Sequence, residues 1–183
     1  MANATDITVR AARPSDWMSV RTLCLESCEE PPLYLTRNES WASNGQDDWV
    51  EYSVGPEHAI FLLFDLSISP LEAIGKARIS AANEDPTTAV ADGIYIRPAY
   101  RGLGLSKLLW QARIHWARCN HFQRVTTIHH LSNVRSMRSI AAQGFVETER
   151  IEHDSTHEAK EPEVGYELRL VELANDSEDG FGV

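Results

Sequence analysis

The sequence predicts a single α+β domain in which helices flank one central mixed sheet. Three observations carry that prediction. Stretches of strand-like alternation are interleaved with stretches of helical spacing, in the order β-α-α-β-β-β-α-β-α-β-β. No internal repeat or low-complexity linker divides the 183 residues, a length that suits one domain with a full core. The 43% hydrophobic and 24% charged content is that of a soluble globular chain, and no window approaches the roughly 18–20 apolar residues of a membrane span.

Ile7–Ala12 (ITVRAA) alternates as a strand, and Arg13-Pro14-Ser15-Asp16 then opens a helix that Ser15 or Asp16 can cap. Its apolar positions are Trp17, Val20, Leu23, Cys24 and Cys28, and Pro31-Pro32 ends it. A second helical stretch covers roughly Glu39–Val54, with Trp41, Trp49 and Val50 on its apolar side. His58–Leu66 and Leu71–Ser80 read as a hairpin joined around Ser69-Pro70, and Asn83-Glu84-Asp85-Pro86 as a turn. Val90–Ile96 (VADGIYI) is the next strand. Leu103–Cys119 follows as an amphipathic helix with Leu105, Leu108, Leu109, Ala112, Trp116 and Cys119 near one face. Arg124–Leu131 is a strand, and Val134–Gln143 a short helix closed by Gly144. Strands at Phe145–His153 and Val164–Val171 flank the polar stretch Asp154–Glu163. The domain is expected over residues 1–173, with residues 174–183 as an acidic, flexible tail.

A formal net charge of −10 argues against nucleic acid, whose partners carry a basic face. It is compatible with a cationic substrate and equally with plain solubility. Met1–Asp6 lacks the basic start and apolar run of a secretory signal, so the default expectation is a cytoplasmic protein without a membrane partner. Cys24 and Cys28 share a helix face, but no nearby histidine or cysteine completes a four-ligand set. Core cysteines without a disulfide, and no metal site, are expected. His58, His115, His121, His153 and His157 likewise have no metal-ligand spacing.

Arg101-Gly102-Leu103-Gly104-Leu105-Ser106 lies where a strand hands over to a helix. Backbone N–H groups in such a turn, with the unsatisfied donors of the helix start, form an anion site suited to a pyrophosphate. Gly102 and Gly104 allow open dihedrals and close approach, while Arg101 adds charge or orders the turn. The turn is not a Walker A loop, because Lys107 is misplaced for one. It is not the dinucleotide fingerprint either, because Lys107 stands where the third glycine belongs. A G-x-G turn alone is as consistent with a plain tight turn as with an anion site.

The segment Ile94–Leu109 (IYIRPAYRGLGLSKLL) resembles the acyl-CoA signature of the GNAT superfamily of N-acyltransferases: an apolar strand, a proline, an aromatic, then R/Q-x-x-G-x-G/A and an amphipathic helix. Asn133-x-x-Ser136 followed by Gly144-Phe145 resembles that superfamily's second landmark, and its spacing is similar to the branch that acetylates ribosomal-protein N-termini. The resemblance spans roughly Ile7 to Leu170, with motif specificity in 94–109 and 133–145. It implies a mostly antiparallel central sheet flanked by helices. It also implies an enzyme that moves an acetyl group from acetyl-CoA to a primary amine, on a small molecule or a peptide N-terminus, by direct attack in a ternary complex. Homodimers are frequent in the family, but no segment here identifies an interface. Two positions depart from the pattern. Ser106 replaces the last Gly/Ala of the turn, and Ile140 stands where many members carry a tyrosine general acid. Either another group protonates the thiolate, or the thiolate leaves directly.

By the same resemblance, Ile94, Tyr95 and Ile96 offer main-chain groups to the pantetheine, with Ile94 N–H the donor to the developing oxyanion. The N–H groups of Gly102, Leu103, Gly104, Leu105 and Ser106 take the pyrophosphate. Asn133 reaches the pantetheine arm, and Ser136 lies near the thiol end or the cofactor. For removing a proton from the amine, Asp92 is a candidate because two-residue spacing puts it on the face of Ile94. His130 is a second candidate; one member of the His129-His130 pair points to each side, and imidazole suits general-base work. Solvation and packing are the ordinary alternatives for both, and a water-mediated path remains. The first two helices, which usually shape the acceptor pocket, carry Glu26, Glu29, Glu30, Asp47, Asp48 and Glu51. These suit a polyamine, an amino sugar or a basic N-terminus, or serve as plain solvation; Tyr34, Trp41, Trp49 and Tyr52 line the pocket or fill the core. The competing reading, favoured by Ile140, is a catalytically inactive CoA-binding module for regulation or assembly; a weaker one is a nucleotide-binding protein.

Overall fold

The computed structural model describes residues 6–30, 39–151 and 162–170. The polar stretch and acidic tail read from the sequence, and Tyr34, lie almost wholly outside them. Eight strands form one sheet: β1 (Ile7–Ala11), β2 (Val54–Gly55), β3 (His58–Asp65), β4 (Ala73–Ala81), β5 (Thr88–Ile96), β6 (Arg124–His130), β7 (Val146–Ile151) and β8 (Glu163–Arg169). Among the described residues four helices accompany them: α1 (Trp17–Cys28), α2 (Gln46–Ser53), α3 (Ser106–Cys119) and α4 (Val134–Ala141). The sheet order is β1-β3-β4-β5-β6-β8-β7, with β2 paired on β3, so the expected mixed α+β architecture is present. Every pair is antiparallel except β5–β6. Among the described residues no helix is long and apolar enough to cross a membrane.

β3 (HAIFLLFD) is apolar on both faces because helices cover both. Phe61 and Leu63 join Leu109 and Ile114 of α3 in one core cluster; Ile60, Leu62 and Phe64 join Val20, Leu23 and Cys24 of α1 and Trp49 of α2 in the other. The second helical stretch is broken where a helix over Glu39–Val54 is expected. Glu39–Ser43 is a 3₁₀ turn, and α2 begins only after Gly45, whose N–H is taken by the Asp48 carboxylate at 2.8 Å. Asp16 does not cap α1. Its carboxylate accepts from Arg13 N–H at 2.7 Å and pairs with Arg10, closing the preceding turn instead.

α3 starts at Ser106 rather than Leu103, since Gly102 (φ 79°) and Gly104 (φ 74°) are left-handed and cannot continue a helix. Its buried seam is Leu109, Trp110, Arg113, Ile114 and Ala117. Leu105 and Leu109 of the expected stripe are buried in the α3-side core and Leu108, Ala112 and Trp116 pack against it, while the seam centres on the buried Arg113. Cys119, expected in the core, is exposed, whereas Cys24 is buried.

Two irregularities in β5 shape the molecule. Lys76 pairs with Tyr95 and Arg78 with Asp92, so Ala77 alone opposes Gly93 and Ile94: a bulge, with Gly93 at φ 57°. Beside it, β5 pairs with β6 only at Thr88, Ala89 and Val90, against Arg124, Val125 and Thr126. β6 meanwhile stays paired with β8 as far as His130. Beyond Val90, β5 and β6 part.

The three paired positions are pinned by Asp85. Its carboxylate accepts from Thr87 N–H (2.8 Å), Thr87 Oγ1 (2.6 Å) and Thr88 Oγ1 (2.8 Å), and forms a close ion pair with Arg124. The threonine and arginine donors hold the Asp85 carboxyl well below the usual carboxylate range. A depressed pKa contributes stability that is complete above the unfolded value and is lost as pH falls through the folded one. Asp85→Asn should therefore lower the Tm at pH 7. The gap to the wild type should close as pH drops below about 4, the range in which an unperturbed aspartate protonates, as paired calorimetric scans would show.

Candidate active site

Where β5 leaves β6 a cavity of about 810 Å³ opens between α1–α2, α3 and α4. One end is the glycine turn. The N–H groups of Gly102, Leu103, Gly104 and Leu105 make no hydrogen bond to another described residue, and they precede the N-terminus of α3. A Cβ built on Gly102 or Gly104 would meet nothing within 4 Å, so the turn is open on that side. Arg101 orders this turn: its Nε donates to Ile96 O at 2.7 Å, and its guanidinium pairs with Glu30 at 2.9 Å. Arg97 similarly pairs with Glu26 at 2.9 Å and Glu72 at 3.0 Å. Two of the carboxylates expected to attract an acceptor thus tie the end of α1 to the turn. Asp48 is occupied at the start of α2, and Glu29, Asp47 and Glu51 are not among the residues lining the cavity.

The opposite wall is α4. Asn133 is its N-cap, with Oδ1 accepting from Ser136 N–H at 3.1 Å, which explains the N-x-x-S spacing in structural terms. The Asn133 amide and Ser136 hydroxyl still line the cavity, joined by Ser139, which accepts from Trp110 Nε1 at 3.1 Å. Ile140 is buried in the α3-side core and presents no group to the cavity. Arg135 and Arg138 also line the cavity and form no ion pair among the described residues.

At the inner end the bulge reverses the expected geometry. Ala89 and Ala91 belong to the α3-side core and, past the bulge, Ile94 and Ile96 pack against that same core, while Tyr95 belongs to the α1–α2 side. The extra residue changes the parity, so Asp92 does not share a face with Ile94, contrary to simple alternation. The Asp92 carboxylate instead pairs with Arg78 at 3.0 Å, and the Arg78 guanidinium lies over Tyr52 of α2, 5.4 Å from its ring centre. Both Asp92 and Ile94 nevertheless line the cavity.

The histidine assignment is also corrected. His129, which shares the buried parity of Val125 and Thr127, lines the cavity together with Ile128, and His130 is not among the lining residues. It stacks on Tyr166 at 5.2 Å and its Nδ1 lies 2.6 Å from His130 O.

Trp41 and Tyr52 line the cavity, whereas Trp49 is buried in the core. The charged lining residues are Lys76, Arg78, Arg101, Arg113, Arg135 and Arg138 against Asp92 alone, so the cavity is basic inside an acidic chain. Lys76, Arg78 and Arg113 escaped the sequence reading. Their only signal was a charge at a core phase of an apolar strand or helix seam. Among the described residues no group of three histidine, cysteine or carboxylate side chains could hold a metal ion.

Residues 21–145 match the model of the acetyltransferase (GNAT) family. No curated protein matches the chain in sequence. Among solved structures, a GNAT-family acetyltransferase from Streptococcus pneumoniae superposes with a TM-score of 0.75 at 16% identity, covering 90% of this chain and 99% of its own. A putative acetyltransferase from Salmonella typhimurium with its cofactor acetyl-CoA gives 0.73 at 15% identity, covering 92% and 96%. Ribosomal-protein-S5-alanine acetyltransferase from Vibrio fischeri gives 0.73 at 16% identity, covering 90% and 93%. At these identities the structures speak to the fold.

Gly104→Asp tests the position of the cradle. A carboxylate facing the phosphates should weaken coenzyme A at least about 100-fold, roughly 2.7 kcal/mol, in calorimetric titration, while the left-handed backbone strain of about 1–3 kcal/mol falls on stability. The folded state should persist by circular dichroism, and undiminished affinity would place the phosphates elsewhere.

Proposed function

The chain belongs to the acetyltransferase (GNAT) family, and from that premise we propose that it transfers the acetyl group of acetyl-CoA to the primary amine of a small molecule or a peptide N-terminus. The observation that carries this reading is the parting of β5 from β6 beside a glycine turn at a helix N-terminus. The residues present suit coenzyme A. Gly102 to Ser106 offer N–H groups to a pyrophosphate, and Arg135 and Arg138 supply charge for the remaining phosphate. The main chain of β5 beyond Val90, no longer paired with β6, offers donors and acceptors to the amides of the pantetheine arm, with Ile96 O already taken by Arg101. The Asn133 amide reaches that arm from the other wall, and Ser136 flanks its thiol end.

The amine attacks from the α1–α2 side, past Trp41 and Tyr52. A C–N bond forms at the thioester carbon, the carbonyl oxygen gathers charge toward Ile94 N–H, and the C–S bond then breaks. Asp92, on the acceptor side of the bulge, takes the ammonium proton directly or through water. The thiolate leaves without an acid at Ile140, since a thiol pKa of about 8.5 makes it a competent leaving group. Among the structural neighbours, an enzyme that acetylates a ribosomal-protein alanine supports peptide N-termini as one acceptor class.

Thiol release from acetyl-CoA against polyamines, aminoglycosides, amino acids and peptides tests the activity. Turnover on at least one class is the expected result. Acetyl-CoA binding with no turnover on any would favour the inactive-module reading. With the acceptor in hand, Asp92→Asn should lower kcat by about 10²-fold or more while leaving acetyl-CoA affinity unchanged. An unaltered kcat would assign the proton to water alone.

A further inference from the structure

Two buried cations grip the bulge from opposite faces of the sheet. Lys76, 3% exposed, reaches from the α1–α2 side, and its Nζ donates to Gly93 O at 2.9 Å beside the Cys24 thiol. Arg113, 1% exposed, reaches from α3, and its Nη1 donates to Asp92 O at 3.3 Å and Arg78 O at 3.5 Å, with the guanidinium 3.7 Å over the Trp110 ring. Lysine and arginine are almost never fully buried without a countercharge. Neither side chain has an ion-pair partner among the described residues, and Arg113 Nε and Nη2 have no hydrogen-bond partner at all. Burial pushes the Arg113 guanidinium down to about 9, which still leaves it charged at neutral pH. An apolar side chain would fill either space without the penalty of desolvating a charge.

The two contacts fall on consecutive peptides. Gly93 C=O and Ile94 N–H belong to one planar unit, and the only cis bond among the described residues is Ser69-Pro70. In a trans peptide the C=O and N–H point opposite ways, so an ammonium at Gly93 O turns Ile94 N–H away from Lys76. Positive charge at the oxygen also strengthens the N–H as a donor, by the polarisation that makes hydrogen-bond chains cooperative. Arg113 fixes the preceding peptide, Asp92 C=O to Gly93 N–H, and so holds in place the bulge that orients the Ile94 N–H. We propose that Lys76 and Arg113 are positioning residues that fix and polarise the bulged peptides, and so set the strength of the N–H donor that meets the thioester oxygen. This rests on the reading of Ile94 N–H as that donor.

The test uses the full chain with acetyl-CoA labelled with ¹³C at the thioester carbonyl, read by difference infrared spectroscopy. In the wild type the bound carbonyl stretch should move to lower frequency than in solution. Lys76→Met should lose most of that displacement and lower kcat by about 10- to 100-fold, with coenzyme A affinity within about threefold of wild type. Lys76→Arg should recover part of both. Arg113→Met, which leaves the Lys76 contact in place, should lose a portion by itself and serves if Lys76→Met does not fold. A wild-type displacement that persists in the folded variants overturns the proposal while leaving the site assignment intact. A wild type with coenzyme A bound and no displacement overturns the Ile94 reading, and the proposal with it.

Discussion

The arrangement of this protein depends on one failure of pairing. β5 and β6 begin as the only parallel neighbours among the described strands, hold register for three residue pairs, and separate. A parallel pair needs a crossover, and here the crossover is the glycine turn and α3. The helix that makes the pairing topologically possible therefore delivers its N-terminus to the mouth of the gap. The bulge at Gly93 sits just inside, where departure from the β6 ladder and distortion of the β4 ladder coincide. Cradle, cleft and bulge are consequences of one topological choice, which is why they lie on contiguous chain from Thr88 to Ser106.

The charge of the chain and the charge of the cleft have opposite signs. A net −10 suggests an affinity for cations, but the carboxylates near the site are largely committed. Glu26 and Glu30 hold Arg97 and Arg101, and Asp92 holds Arg78. Cations lining the cavity remain in excess, which is the complement an anionic coenzyme requires. Bulk composition averages over this separation, since a handful of inward-facing arginines weighs little against many solvated acids.

Much of the frame was legible from local signals. The glycine turn was readable because left-handed backbone demands glycine, and α4 because its cap and closing glycine are short-range features. The order of elements followed from periodicity. What failed was non-local. Within VADGIYI nothing distinguishes a bulge from plain alternation, because the bulge is defined by how many β4 residues stand opposite and by the donors that Lys76 and Arg113 bring to it. Plain alternation therefore places Asp92 on the face of Ile94, and the bulge places it on the other. Which of His129 and His130 faces the cleft is a related matter, since strand parity can be counted but the face it names depends on partners such as Tyr166. Arg113 was hidden because an amphipathic count treats a charge as a mark of the solvent side.

The parted strands also leave the protein with something soluble proteins usually avoid. Among the described residues β5 has no strand paired to it on its β6 side beyond Val90, and β6 beyond Thr126 has none on its β5 side. Exposed strand edges invite other chains to pair with them, and proteins commonly blunt them with charge, twist or cover. Here both edges are recessed in a cleft between helices. An edge enclosed in this way is shielded from the open approach by which sheets of different molecules pair, so the strand separation that opens the cleft carries its own protection against aggregation.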